Sequence, residues 1–170
     1  MQYRRSRAKG AAFFFTLVTH ERRRFLCDET NITLTKESFQ HVINRHPFAV
    51  DAFVLLPDHL HCISMRWRQI TSYFSRKCHD EFKTGQLDAR PIKGEQAIWQ
   101  RRFWEHQIID DSDFVKHVEY IHFNPVKHGL VNSPTAWPHS TFHRFVQQGI
   151  YPGDWGADKE IDLDKNVGNE

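Results

Sequence analysis

The chain has 170 residues, 39% hydrophobic and 26% charged, a composition that suits one soluble globular domain large enough to bury a core. No apolar run approaches the roughly eighteen residues of a membrane span, and the short apolar stretch 11–18 runs straight into Thr19, His20, Glu21 and Arg22 without a signal-peptide cleavage pattern. Net charge is only +2, but residues 1–24 carry seven basic groups against Glu21 alone, and residues 150–170 carry six acidic groups against Lys159 and Lys165. A basic body with an acidic tail suggests a polyanionic partner. Cys27, Cys62 and Cys78 are odd in number and lack CxxC spacing, which argues against a disulfide framework or zinc ribbon and fits a reducing cytoplasm.

In chain order, residues 12–19 (AFFFTLVT) are aromatic and β-branched and read as a buried strand. Residues 35–45 place Phe39, Val42 and Ile43 on one helical side behind Thr35 as N-cap, and His46-Pro47 ends that helix. Residues 50–56 and 59–66 read as two strands joined by the Pro57-Asp58 turn, a hairpin. A helix is expected over 71–83, a polar loop over 85–94 and a fourth strand over 103–110. A third helix over 113–122 is capped by Ser112 and stopped by Asn124-Pro125, with a short helix near 141–148 and then the acidic tail. The order β-α-β-β-α-β-α predicts an α+β fold: a ferredoxin-like split βαβ arrangement with a central antiparallel sheet and helices on one face. Residues 1–150 form the expected domain and residues 151–170 the tail.

His59-Leu60-His61 lies on the third strand, where residues i and i+2 point to one face, so both imidazoles could hold one divalent ion while Leu60 enters the core. Twelve histidines in the chain make about one His-x-His pair expected by chance, so that pair alone decides little. Tyr120 and Asn124 carry more weight, because i, i+4 spacing puts a phenol and an amide on one helix face. A His-hydrophobic-His strand with Tyr-x-x-x-Asn on a later helix supplies the parts of a metal-assisted tyrosine nuclease.

On these residues the sequence resembles the REP-associated tyrosine transposases, a branch of the single-tyrosine HUH transposases. The carrying segments are FFFTLVTHERRRFL, DAFVLLPDHLHCI, WQRRFWEHQIIDD and VEYIHFNPVKHGLV, spaced through residues 10–150, most of the chain. The resemblance implies that His59 and His61 are the metal-binding pair of the HUH motif, Tyr120 the nucleophile and Asn124 the third metal ligand. The family usually shows Asn before the first motif histidine; this chain has Asp58. The implied activity is a metal-dependent single-stranded DNA endonuclease and strand-transferase acting on palindromic hairpin DNA with a flanking tetranucleotide, through a covalent 5′-phosphotyrosine intermediate. The alternative is a catalytically silent hairpin-binding protein of the same fold. A phenol with a pKa near 10 needs help to attack a phosphodiester at pH 7, which Mg²⁺ or Mn²⁺ supplies; an amide oxygen suits those hard ions, although two imidazoles would also suit Zn²⁺. The resemblance further implies a monomer, with a dimer as the alternative, working in a bacterial cytoplasm at the nucleoid.

DNA contacts are expected from the basic arm Arg4, Arg5, Arg7 and Lys9, from Arg101 and Arg102 beside Phe103 and Trp104, and from Arg66 and Arg68 around Trp67. One of Phe103 and Trp104 is expected in the core. His106 and His117 read as packed or hydrogen-bonded residues. The acidic tail could lie over the basic DNA path and compete with substrate.

Overall fold

A computed structural model of the chain describes residues 12–83, 98–100, 103–157, 161, 163, 167 and 168. Four strands form one antiparallel sheet: β1 (Phe13–Val18), β2 (Ala52–Leu55), β3 (His59–Ser64) and β4 (Trp104–Gln107), in the order β2-β3-β1-β4. This is the strand order of the expected ferredoxin-like unit, with β1 central and long because its apolar residues are buried on both sides.

Helices α1 (Glu29–Arg45), α2 (Trp67–Lys77) and α3 (Asp80–Lys83) follow β1 and β3. Helices α1 and α2 pack against Phe15, Leu17, Leu60 and Cys62 with Leu34 and Phe74. The opposite face carries α4 (Asp111–Lys127) and α5 (Phe142–Gln147), which bury Phe14, Val54 and Ile63 under Val118, Ile121 and Phe142. The helical layer expected on one face is therefore present, and α4 and α5 add a second layer on the other. The physical reason is visible in β1 and β3, whose residues are apolar at both parities: a face left open would expose Phe14 and Ile63, each worth about 1.5–3 kcal/mol of burial.

The bounds of three helices differ from the sequence expectation. Helix α1 begins six residues before Thr35, and the Thr35 hydroxyl donates to the Asn31 carbonyl from inside the helix. Arg66-Trp67-Arg68 opens α2 instead of closing β3, and α2 stops at Cys78, leaving α3 separate. Helix α4 starts at the Asp110 cap, whose carboxylate accepts from the Asp113 amide at 2.8 Å, and runs through Pro125 to Lys127. Proline forfeits one hydrogen bond there, and the buried stripe of Phe114, Val118 and Ile121 holds the helix on the sheet.

No helix among the described residues is long and apolar enough to cross a membrane. Cys27, Cys62 and Cys78 are free thiols, the latter two buried and Cys27 partly so.

Candidate functional site

Antiparallel register puts Thr16 opposite His61 and Val18 opposite His59, all on the face covered by α4. The Thr16 hydroxyl lies 2.8 Å from His61 Nδ1, so Nε2 is the His61 atom suited to ligation. Asp58 does the same for His59, with its carboxylate 2.7 Å from Nδ1. Burial alone would push the Asp58 carboxyl up, but the hydrogen bond and charge of His59 and the guanidinium of Arg22 at 3.2 Å outweigh it and hold the group at about 2. Both rings are thus oriented by partners behind them, the arrangement that fixes tautomer and raises ligand basicity at metal sites.

Helix α4 completes the site. Tyr120 and Asn124, one turn apart, both face the histidines: the Tyr120 ring centre is 5.2 Å from that of His61, and Asn124 Oδ1 lies 3.4 Å from His59 Nε2. The two imidazole rings are 5.0 Å apart and edge to face. Asn124 Nδ2 is the buried side-chain polar atom that lacks a hydrogen-bond partner among the described residues. An amide whose nitrogen is orphaned while its oxygen lies against the His59 imidazole fits a side chain held for an oxygen ligand, so the donor set of two nitrogens and one oxygen suits a divalent ion.

The remaining expected residues do not join this cluster. Arg66 and Arg68 line a cavity of about 610 Å³ on the α1/α2 side of the sheet, with Arg45, Arg76, His41 and His46. Arg4, Arg5, Arg7, Lys9, Arg101 and Arg102 lie outside the described residues. Phe103 packs its ring 4.0 Å from Trp67 in the α1/α2 core, whereas Trp104 is 39% exposed and pairs with Thr16 on the α4 face.

Four residues that carry no motif of their own lie around Tyr120 and the two histidines. Lys127 places Nζ 3.0 Å from the Tyr120 hydroxyl; its i, i+7 spacing on α4 was a legible signal. His128 sets its ring 4.9 Å from His59. Thr16 is the hydroxyl behind His61. Gly168, 48 residues from Tyr120, accepts a hydrogen bond from the phenol at 3.1 Å through its carbonyl. No local pattern announces that bond. Gly168 has φ of +69°, and a Cβ there would fall inside contact distance of the phenol. Val167 is buried beside it, and Tyr120 is only 2% exposed. Residues 167 and 168 therefore cover Tyr120.

No protein-family model matches the sequence. The chain is 40% identical over 167 residues to the REP-associated tyrosine transposase of Escherichia coli K12, covering 92% of each chain. It is 35% identical over 176 residues to a Haemophilus influenzae chain of the same family name, covering 97% and 98%. A solved structure described as the REP-associated tyrosine transposase bound to a REP hairpin superposes with a TM-score of 0.72 at 36% identity, over 99% of both chains.

Proposed function

We propose, since the chain belongs to the REP-associated tyrosine transposases, that it binds hairpin DNA and cuts and rejoins the adjoining single strand through Tyr120. The observation that carries this reading is the convergence of Tyr120, His59, His61 and Asn124 from two distant segments into one buried cluster. Membership supports hairpin recognition, because the superposed relative was solved on a REP hairpin.

The Tyr120 oxygen attacks the scissile phosphorus, a bond forms between them, and the bond to the 3′-oxygen breaks. A 5′-phosphotyrosine and a free 3′-hydroxyl result, and the phosphodiester energy is kept for rejoining. Lys127 donates to the phenol oxygen and favours its charged form as the proton leaves. His59, His61 and Asn124 would hold a Mg²⁺ or Mn²⁺ ion, which supplies Lewis-acid polarisation of the scissile phosphate. Asp58 and Thr16 keep the two rings aimed. Trp104 offers an exposed ring on the same face for a splayed base to stack on. The acidic-tail residues Val167 and Gly168 must leave before DNA can reach Tyr120, so the closed state is the resting one.

The test is incubation of the purified chain with single-stranded hairpin oligonucleotides and Mn²⁺, scored by SDS-resistant adducts. An adduct is expected with the native chain and none with Tyr120→Phe, which removes the nucleophilic oxygen while leaving hairpin affinity unchanged. Adduct formation by Tyr120→Phe at the native rate would move the nucleophile elsewhere. Hairpin binding without any adduct, even after residues 158–170 are removed, would leave the silent binding protein as the reading.

A further inference from the structure

A second group of ligand-type side chains sits on the same face, separated from the first by the Phe14 ring. That ring is 5.7 Å from His61 on one side and 4.7 Å from His117 on the other. Beyond it, His106 on β4 and Asp113 and His117 on α4 converge, and one ligand atom of each lies within 4.8 Å of the others. His106 Nε2 is 2.9 Å from one Asp113 oxygen, and His117 Nδ1 is 3.1 Å from the other and 2.8 Å from the Asp113 main-chain carbonyl, a contact that an ion would replace. The imidazole rings stack 4.7 Å apart at 12°.

We infer that His106, Asp113 and His117 form a second metal site, distinct from the HUH cluster, for a divalent first-row transition ion such as Zn²⁺. Ligands about 2.0–2.1 Å from a tetrahedral zinc ion lie roughly 3.4 Å from one another, so the observed spacings need only small adjustments to admit one. Two imidazoles and a carboxylate are a borderline donor set that prefers Zn²⁺, Co²⁺ or Ni²⁺ to Mg²⁺. The Ile109 amide donates to one Asp113 oxygen at 3.0 Å and fixes the carboxylate between the two rings. Access exists, because the His106 side chain is 35% exposed while His117 is 5% exposed, leaving one open side for exchangeable water ligands.

The site joins the sheet edge to the helix that carries the nucleophile. His106 pairs with Phe14 across β1 and β4, and His117 precedes Tyr120 by three residues on α4. A bound ion would clamp the first turns of α4 to β4. It would thereby position Tyr120 without touching DNA.

Tag-free full-length chain titrated with Co²⁺, followed by d–d absorption and calorimetry, tests the inference. The native chain is expected to take two ions. His59→Ala/His61→Ala should retain one, and its melting temperature should still rise with Zn²⁺. His106→Gln and Asp113→Asn should each lose one equivalent; the asparagine keeps a hydrogen-bond acceptor toward the imidazoles but not the charge. Combining His106→Gln with His59→Ala/His61→Ala should abolish binding. If His106→Gln and Asp113→Asn leave the stoichiometry of the His59→Ala/His61→Ala variant at one, the cluster is a hydrogen-bond ladder and the inference is overturned. Unchanged stoichiometry on His59→Ala/His61→Ala alone would count against the HUH site instead, so the two failures read separately.

Discussion

Asp58 stands between the turn and the first motif histidine, and its surroundings are built at some expense. Glu21 and Arg22 adopt φ of +58° and +51°, a left-handed conformation that non-glycine residues enter at about 1–3 kcal/mol each. That kink delivers the Arg22 guanidinium to the Asp58 carboxylate, while the Thr19 hydroxyl and amide both donate to the Asp58 carbonyl. A strained turn spent on a residue that touches no core points to the orientation of His59. Asp58→Ala should therefore weaken Mn²⁺ affinity about ten- to a hundredfold, the usual range for the partner behind a metal-bound histidine. Asp58→Asn should weaken it less, because the amide oxygen still accepts from Nδ1. Equal affinities for the native chain and Asp58→Ala, measured by Mn²⁺ titration in an electron paramagnetic resonance spectrometer, would remove Asp58 from the site.

Helix α4 serves two faces with two stripes. Phe114, Val118 and Ile121 seat it in the core, and Tyr120, Asn124 and Lys127 follow the site. Its C-terminal half is tied to the edge strand β2 through α5: the Thr141 hydroxyl lies 2.9 Å from His122 Nε2, accepts from the Phe53 amide at 2.9 Å and donates to the Phe53 carbonyl. His122 is fully buried, and burial, with the nearby Arg144 and His143, lowers its pKa to about 3. A neutral imidazole held without water depends on such a partner. Thr141→Val preserves shape and strands these buried polar groups, so it should lower stability by about 1–3 kcal/mol in urea unfolding. A change within experimental scatter would show that the bridge is dispensable.

Across the whole molecule, the sheet separates a basic cavity from Tyr120. Arg45, Arg66, Arg68 and Arg76 gather on the α1/α2 side. Arg66→Ala with Arg68→Ala should lower hairpin affinity and flatten the plot of log affinity against log salt, by about one unit of slope for each phosphate no longer neutralised. An unchanged slope would place those arginines away from DNA. The tail has a separate effect. Trp155 packs 4.5 Å from Tyr151, so the C-terminal core runs through that residue and a deletion should begin after Ala157. Removing residues 158–170, or introducing Gly168→Ala, should speed adduct formation by uncovering Tyr120. A steric cover predicts the same gain at high and low salt. Competition by acidic groups predicts a gain concentrated at low salt, where the Debye length is about 30 Å at 0.01 M. No gain from either variant would end the idea of a closed resting state.

Local chemistry made much of this legible. The period-two strand put His59 and His61 on one face, the i, i+4 spacing paired Tyr120 with Asn124, and the strand and helix order implied the antiparallel sheet; each follows from backbone geometry within a few residues. The start of α1 and the passage of α4 through Pro125 were not legible, because packing against the sheet outweighed the local signals of Thr35 and proline. Thr16 behind His61, His106 beside His117, the arginine cavity and Gly168 against Tyr120 all join residues far apart in the chain. Side-chain type and spacing in the sequence determined the family resemblance and which groups are candidates for the chemistry. Only the tertiary structure decided which groups support that chemistry and what covers it, because strand register and helix docking alone bring such distant positions within hydrogen-bond reach.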